Sequence, residues 1–504
     1  MPSEIVPIPK ARGWVRLLIA FIVAFDVAAF FQWADGAFQS EFGGHTAEAA
    51  HYLAGMSVRD AARDHHSAAL RHTPAFDLVQ GGWMLVFGTS RIAVMLFMAA
   101  LAAATATLIF GTVLREFGNW AAVVASLLWL CAPAVRESYG TILPEQFGAF
   151  LLTGAGLLWA RLVEENNRSV ALQSCEETPS SPGTPSATSR WQSASCKWIR
   201  TAAMLIGGGV LTFAFAVARG LVPGDARAAS HFLMECAFVL GITAAAFALA
   251  GVVIRRRPDE RTGMVWVAMI ALVAAVLLSR WMKAGLPDVR VLIVATPALA
   301  MLAARGAVSL AGIVGSQTAI AREYSRRKAL WLLLLLLLAL PPALLHPREK
   351  DWHGFAPIAL TLIEESRGTV RVLAVSDPRG EGMLISEIAM RDPARQITVE
   401  RGSESLTDPA GSAPRGRPLE RFLEDEQLFA HLTSGRIQYI VLDSAVPQES
   451  RAGYHDQVRR VLEGNVRSFW PIYDSPIIRD GEPQGHPLRI FRVMKPEGAE
   501  LQLQ

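Results

Sequence analysis

The residues best suited to chemistry lie in a polar stretch, residues 41–91, between two long apolar runs. This stretch carries five of the chain's eleven histidines, and the acid Glu48 follows shortly after a Gly-Gly pair. A carboxylate can take a proton from a reacting hydroxyl, and carboxylates and imidazoles can bind a divalent metal ion. The histidine spacing matches no closed zinc site, so a metal is possible but the sequence does not require one. The five histidines are His45, His51, His65, His66 and His72.

A helix is predicted to position part of this stretch. Thr46 is a candidate N-cap for a helix that runs to about residue 63. Glu48, His51 and Tyr52 are three and four residues apart on this helix, so they share one face. The alternative for Glu48 is an exposed acid near a helix N-terminus, a position that the helix dipole favours.

The composition places these residues in a polytopic membrane protein. Of the 504 residues, 52% are hydrophobic and only 18% are charged, and the mean hydropathy is +0.30. The net charge of +3 does not indicate a nucleic-acid partner. Because a helix needs roughly 20 apolar residues to cross the hydrocarbon core, each long apolar run is a candidate span. Nine runs qualify, at about residues 14–33, 92–114, 119–135, 147–163, 201–219, 231–254, 264–282, 289–311 and 329–346.

Clusters of basic residues orient these spans. Lysines and arginines precede the first span, follow the sixth and precede the ninth. Because such clusters stay on the cytoplasmic side, the N-terminus is predicted to be cytoplasmic. Alternation of the spans then places the first loop at 35–91, the second at 135–146, the later loop at 280–290 and the C-terminal segment together on the outer side.

Two domains are predicted, a transmembrane helical bundle at 1–346 and a small extracytoplasmic α/β domain at 347–504. The bundle includes the first outer loop at 35–91. It also includes an insert at 164–200, rich in Ser, Thr and Pro, which is predicted to be a disordered cytoplasmic segment.

Strand-like and helix-like patterns alternate in the C-terminal domain, which predicts a mainly parallel sheet. RPLERFLEDEQLFAHL is typical of an amphipathic helix. A Gly-Glu-Gly sequence at 380–382 follows a predicted strand but lacks a full nucleotide-binding fingerprint, so it is interpreted as a glycine turn. The predicted strands are TVRVLAVSD, RIQYIVLDS and LRIFRV.

Four segments together resemble the GT-C membrane glycosyltransferases, of the kind grouped with protein O-mannosyltransferases and the aminoarabinose transferase of lipid A. The resemblance implies a GT-C-like helical bundle in a bacterial inner membrane. It also implies a polyprenyl-phosphate-linked sugar donor, contact with membrane lipids, and an extracytoplasmic lipid, glycan or protein acceptor. The segments are AEAAHYLAG at 47–55, RHTPAF at 71–76, WMLVFGTSR at 83–91 and PAVRESYGTILPEQ at 133–146.

The resemblance also implies roles for individual residues. Glu48 matches an acid of the first outer loop, and Glu145 matches an acid of the second, so both are candidate catalytic residues. Basic residues of a later outer loop would hold the carrier phosphate, for which arginine is well suited, although they could instead contact lipid headgroups at the interface. The candidate substrate-binding residues are His51, Tyr52, His72, Arg280, Lys283 and Arg290.

One departure from the resembled family bears on activity. Ala47 stands where relatives carry the first acid of a pair, and only Glu48 of that pair remains. Two alternatives to an active enzyme therefore stay open, an inactive relative that binds or scaffolds and a transporter of lipid-linked precursors. A transporter would place charged or broken helices at mid-membrane, and the predicted spans contain few acids. Four aspartates of the loop are interpreted mostly as solvated charges, although the first of them could stand in for the missing acid if the loop folds back. They are Asp35, Asp60, Asp64 and Asp77.

Overall fold

Three predicted spans, at about 201–219, 231–254 and 264–282, lie outside the part of the chain that the structure describes, apart from residues 247 and 248. The structure is a computed structural model. It describes residues 10–42, 46–63, 73–176, 247–248, 293–315, 327–337, 353–392, 394–412, 418–448, 450–479 and 482–494.

Helices make up the N-terminal part of the described chain. They are α1 (Lys10–Ala34), α2 (Thr46–Arg63), α3 (Ala75–Phe87), α4 (Arg91–Phe117), α5 (Asn119–Cys131), α6 (Pro133–Tyr139), α7 (Glu145–Glu176) and α8 (Thr296–Gly315). Residues 327–337, in the last predicted span, are also helical.

Three described helices are long and apolar enough to cross a membrane, and they coincide with the predicted spans at 14–33, 92–114 and 289–311. The helices α5 and α6 form a fourth if the pair is one span, bent by 64°. The bend falls at Pro133, and Ala132 before it has the extended backbone that a residue preceding proline favours. These apolar helices are those of a multi-pass membrane protein.

The chain divides into two compact units, of which the first comprises Met1–Phe31, Met98–Tyr139 and Pro144–Pro347. In this unit, α5 is joined to α4 by two hydrogen bonds. Trp129 donates its indole N–H to the carbonyl of Ala102, and the Ser126 hydroxyl donates to the carbonyl of Ala106, each at 3.1 Å. Both alanines are buried, and such small residues let helix backbones approach closely.

The helix α7 continues past the predicted span at 147–163 as far as Glu176. The prediction of a disordered insert is therefore wrong for residues 164–176. This part of the insert contains neither glycine nor proline, so the backbone hydrogen bonds of the preceding span can continue through it. The rest of the predicted insert lies outside the described residues.

The second unit comprises Gln32–Phe97, Gly140–Leu143 and Arg348–Gln504. It therefore contains the described residues of the loop at 35–91 that is predicted to be the first outer loop, together with the C-terminal segment. The predicted domain boundary at 346–347 and the outer location of the loop stay predictions. Its further elements are α9 (Phe355–Glu365), β1 (Val370–Val375), α10 (Pro378–Arg391), β2 (Ile397–Arg401), α11 (Gly402–Ser405), β3 (Thr407–Ser412), β4 (Pro418–Glu420), α12 (Asp425–Leu432), β5 (Tyr439–Asp443), α13 (Gly453–Gly464), β6 (Phe469–Ser475), β7 (Ile478–Arg479), β8 (Glu482–Pro483) and β9 (Leu488–Val493).

Five strands of this unit form one sheet in the order β2-β1-β5-β9-β6. The three predicted strands are present as β1, β5 and β9. The sheet is mixed rather than mainly parallel, because β9 runs antiparallel to both β5 and β6. The link from β6 to β9 holds only the short pair β7 and β8, whereas a parallel connection needs a longer crossover. The predicted fold class, apolar membrane helices followed by a small α/β domain, is confirmed.

Helices cover both faces of the sheet. Val372 and Ala374 of β1 pack in one core with α9 and α10, whereas Leu373 and Val375 pack in a second core with α12 and α13. This alternation follows from the two-residue period of a strand, and burial on both faces explains the continuous apolar run at residues 372–375. The predicted amphipathic helix is shorter than expected and begins at Asp425, because residues 418–420 pair with β3 as strand β4.

Glu41 of the first outer loop caps the helix α9. Its two carboxylate oxygens accept hydrogen bonds from the backbone N–H groups of Gly354, Phe355 and Ala356, at 3.1, 3.0 and 2.8 Å. These N–H groups belong to the start of a helix and lack partners inside it, so an acid there satisfies them and complements the helix dipole. The loop is thereby fixed to the C-terminal segment.

Replacing Glu41 with alanine should accelerate amide hydrogen exchange at Phe355 and Ala356 in the full-length protein. Loss of a cap costs about 1–2 kcal/mol, which corresponds to exchange about 5- to 30-fold faster. The matched control is Glu424→Ala, because Glu424 precedes α12 without a side-chain cap bond. Equal exchange in wild type and Glu41→Ala would contradict the capping role.

The same cap should depend on pH. Burial, together with the nearby charge of Glu387, raises the pKa of Glu41 from 4.5 to about 7. The folded state therefore holds this proton between about pH 4.5 and 7, where the unfolded state releases it, so the contribution of Glu41 to stability falls as pH rises through that window. Protection of Phe355 and Ala356, corrected for intrinsic exchange, should decrease accordingly in the wild type and stay flat in Glu41→Ala.

Candidate functional site

The helices α2 and α3 bring a histidine and an acid of the first outer loop together. His51 Nδ1 lies 2.8 Å from Asp77 Oδ1, and the ring of His51 meets the ring of Phe76 edge-on, with centroids 5.3 Å apart. The side chain of Asp77 is only 3% exposed, while that of His51 is 22% exposed. The interpretation of Asp77 as a solvated charge is therefore wrong. The acid faces α2 because it lies in the first turn of α3 on its buried side.

Glu48 lies one turn before His51 on α2 and is also buried, at 3% exposure. Its Oε1 accepts a hydrogen bond from the backbone N–H of Ile142, at 3.0 Å. Ala47, the preceding residue, is exposed. The alternative of an exposed helix acid therefore does not describe Glu48, whose carboxylate is held inside the unit.

Tyr52 is fully buried behind the same face. Its hydroxyl donates to the carbonyl of Thr89 at 2.9 Å, and its ring packs against that of Phe42. Burial raises the pKa of this phenol. The hydroxyl of Tyr52 thus binds the segment that leads into α4.

Glycines set the close approach of α2 and α3. A Cβ on Gly81 would lie 2.5 Å from Cγ1 of Val58, so a larger residue would force the helices apart. Gln80 beside it is fully buried, and neither its Oε1 nor its Nε2 has a hydrogen-bond partner among the described residues. Asp77 and Gln80 are three residues apart on α3, so two polar side chains lie on the face that packs against α2.

An ion-pair cluster closes the far end of the loop. Glu387 on α10 is fully buried and pairs with both Arg91 and Arg391. Arg91 also donates to the backbone carbonyl of Gln39, at 2.8 Å. Asp60, interpreted from the sequence as solvated, is half-buried and pairs with Arg395. No local pattern marks the pairs Arg91–Glu387 and Asp60–Arg395, because each joins segments about 300 residues apart.

The second predicted acid, Glu145, is half-buried at the start of α7 in the first unit. Its neighbour Gln146 donates from Nε2 to the Ser138 hydroxyl at 2.6 Å, which ties α7 to α6. Arg136 on α6, which sequence reasoning missed, is buried and lies over the ring of Phe31, with the guanidinium carbon 4.6 Å from its centroid.

Several predicted residues lie outside the described part of the chain. Within the described ranges, no group of three or more His, Cys, Asp or Glu side chains is arranged to hold a metal ion. The residues outside are the histidines His45, His65, His66 and His72 and the basic residues Arg280, Lys283 and Arg290.

Replacing Glu387 with glutamine should destabilise the purified full-length protein markedly. Removing one partner of a buried ion pair costs about 3–5 kcal/mol, because Arg91 and Arg391 would be left without their counter-charge. The matched control is Glu400→Gln, whose pair with Arg371 is largely exposed and worth about 0–1 kcal/mol. Thermal unfolding in detergent measures both, and equal losses would show that the buried cluster has no special weight.

Residues 71–173, which run from just before α3 into α7, match the family model described as dolichyl-phosphate-mannose-protein mannosyltransferase. The crystal structure of ArnT from Cupriavidus metallidurans in the apo state is similar over 95% of this chain and 98% of that chain, with a TM-score of 0.40 and 12% sequence identity. No curated protein matches the chain. The predicted resemblance to GT-C membrane glycosyltransferases is confirmed for the segment that the family model matches.

Proposed function

We propose that this protein is a membrane glycosyltransferase that moves a sugar from a polyprenyl-phosphate carrier to an extracytoplasmic lipid, glycan or protein acceptor. The observation that carries the proposal is the family-model match over residues 71–173, a segment that contains Asp77 and Glu145. The proposed setting is a bacterial inner membrane, with residues 1–346 as the transmembrane domain, the N-terminus in the cytoplasm and residues 347–504 outside it.

The proposed reaction replaces one bond at the sugar. A hydroxyl of the acceptor attacks the anomeric carbon, the bond from that carbon to the phosphate oxygen breaks, and the polyprenyl phosphate leaves. The hydroxyl needs a group that takes its proton, and the leaving phosphate needs positive charge.

Each proposed role follows from residue chemistry. Glu48 supplies negative charge beside the acceptor and assists its activation, and Glu145 supports the site from the second outer loop. The carrier phosphate is bound by basic residues, whose charge matches its own. His51 and His72 contact substrate, and Tyr52 supports the face that carries His51. The proposed phosphate-binding residues are Arg280, Lys283 and Arg290.

Glu48→Gln should abolish sugar transfer. Glutamine keeps an oxygen that can accept the hydrogen bond from Ile142, so the fold is preserved while the negative charge is lost. Transfer is measured in membranes supplied with radiolabelled polyprenyl-phosphate sugars, with mannose and aminoarabinose donors among them. The control is Asp60→Asn, at a half-buried acid on the same helix, which should keep its activity. Unchanged transfer by Glu48→Gln would remove the proposed role of Glu48.

The exposed Ala47 favours a second candidate, an inactive relative that binds the donor without transferring the sugar. Ala47→Asp distinguishes the two. If the wild type is inactive, restoring the acid should produce hydrolysis of the donor to free sugar and polyprenyl phosphate. If the wild-type protein itself transfers sugar, the hypothesis of an inactive relative fails.

A further inference from the structure

The His51–Asp77 pair has the arrangement of a histidine base held by a carboxylate. His51 Nδ1 lies 2.8 Å from Asp77 Oδ1, and since an ionised carboxylate only accepts hydrogen bonds, we assign the donor role in this contact to Nδ1. The proton of the neutral ring is then on Nδ1, and Nε2 keeps a lone pair that can accept a proton. A base must reach its substrate, whereas the carboxylate that holds it need not. Accordingly, the side chain of His51 is partly exposed and that of Asp77 is buried.

His51 lies one helical turn after Ala47, where the resembled family carries an acid. Residues four apart on a helix lie on the same face, so a side chain at position 51 reaches the region that a side chain at 47 would serve. Glu48 is nearly fully buried and accepts a hydrogen bond from Ile142. Of the three ionisable side chains on this face, Glu48, His51 and Tyr52, His51 is therefore the most exposed.

The surroundings of the pair hold the ring in place. Phe76 meets it edge-on, and Gly81 against Val58 fixes the separation of α2 and α3. Gln80 places a second buried polar side chain in the same helix contact. A contact that served packing alone would be stabilised by apolar side chains at these positions, so the polar pair calls for another explanation.

We propose that His51 is the general base of the transfer reaction and that Asp77 is its positioning residue. This inference rests on the proposed function. In the step, the acceptor oxygen forms a bond to the anomeric carbon while the bond from that carbon to the phosphate oxygen breaks, and the electron pair leaves with the polyprenyl phosphate. The acceptor's proton moves to His51 Nε2, which gives an imidazolium stabilised by Asp77 and later releases the proton to water.

Other charged groups surround this helix and bear on its pH dependence. Asp77 comes from α3, and Glu48 lies on α2 itself. The helix α10 packs against α2 through Gly382 and Ala49, and it carries Glu387 with its two arginine partners. Glutamine at position 51 leaves all of these groups in place, so a change in the pH profile of that variant reports His51.

The experiment compares wild type, His51→Gln, His51→Ala and Asp77→Asn as full-length proteins in the transfer assay. We expect His51→Gln and His51→Ala to lower kcat about 10²- to 10⁴-fold with little change in KM, because the base acts on the chemical step. The acid limb of the wild-type pH profile should disappear in both, because neither variant has an imidazole at position 51 to take up a proton. Imidazole added to His51→Ala should restore part of the rate, which a misfolded protein would not allow.

Asp77→Asn keeps an oxygen facing His51 but removes the charge that stabilises the imidazolium. We expect kcat to fall about 10²-fold and the acid limb to move, with KM nearly unchanged. His431→Gln, a histidine on α12 of the C-terminal segment, is the matched control and should transfer sugar at the wild-type rate.

The outcomes separate this inference from the proposed function. If the wild type transfers sugar and the His51 variants keep the wild-type pH profile, or imidazole gives no rescue, His51 is not the base while the glycosyltransferase function stands. If the wild type transfers no sugar from any polyprenyl-phosphate donor, the proposed function fails and the base assignment falls with it.

Discussion

The carboxylate of Glu387 imposes the constraint on which the second unit depends. A fully buried charge is costly unless counter-charges and hydrogen bonds compensate it, so two arginines must reach this one acid. Arg391 is supplied by the same helix, but Arg91 comes from the end of the first outer loop and also binds the carbonyl of Gln39. The ends of the loop are therefore drawn to the C-terminal segment, and the helices between them are held as part of that unit.

Glu41 adds a second restraint of a different kind. Its carboxylate satisfies three backbone N–H groups at the start of α9, so the restraint is a helix cap rather than an ion pair. Burial disfavours ionisation of Glu41 and raises its pKa, and the charge of Glu387 nearby adds to this effect. The loop that carries His51 and Glu48 is thus anchored by two acids, Glu41 and Glu387, whose negative charges repel each other. The arginines Arg91 and Arg391 neutralise the charge of Glu387.

The carboxyl ends of β1 and β5 show why the Gly-Glu-Gly sequence at 380–382 is structural. Ligands of open α/β sheets bind at such a crevice, where the strand order reverses. Here the buried Arg479 occupies it and pairs with Asp443 and Asp377. The Gly-Glu-Gly residues are helical and lie near the start of α10, and a Cβ on Gly380 would overlap the Ser376 hydroxyl, so this glycine allows the helix to pack closely against the end of β1. The interpretation as a glycine turn is therefore wrong.

Local chemistry in the sequence determined the elements. Apolar length predicted the spans of α1, α4 and α8, β-branched runs predicted three of the five strands of the main sheet, and Thr46 predicted the start of α2. The spacing of Glu48, His51 and Tyr52 placed them on one helical face, because a helix period is a local property. The helical extension to Glu176 was missed, since a polar composition does not prevent a helix from continuing out of an apolar span.

Only the tertiary structure decided which of these groups meet. In the sequence, Asp77 looks like any solvated acid of a loop. It becomes the partner of His51 only because α3 packs against α2. Glu387 and Arg91 are about 300 residues apart, and Glu41 reaches the start of α9 over a similar separation. Pairings of this kind follow from the path of the whole chain, so no short-range pattern records them. The sequence therefore supplied the candidate groups of this loop, and the fold brought two of them, His51 and Asp77, into contact.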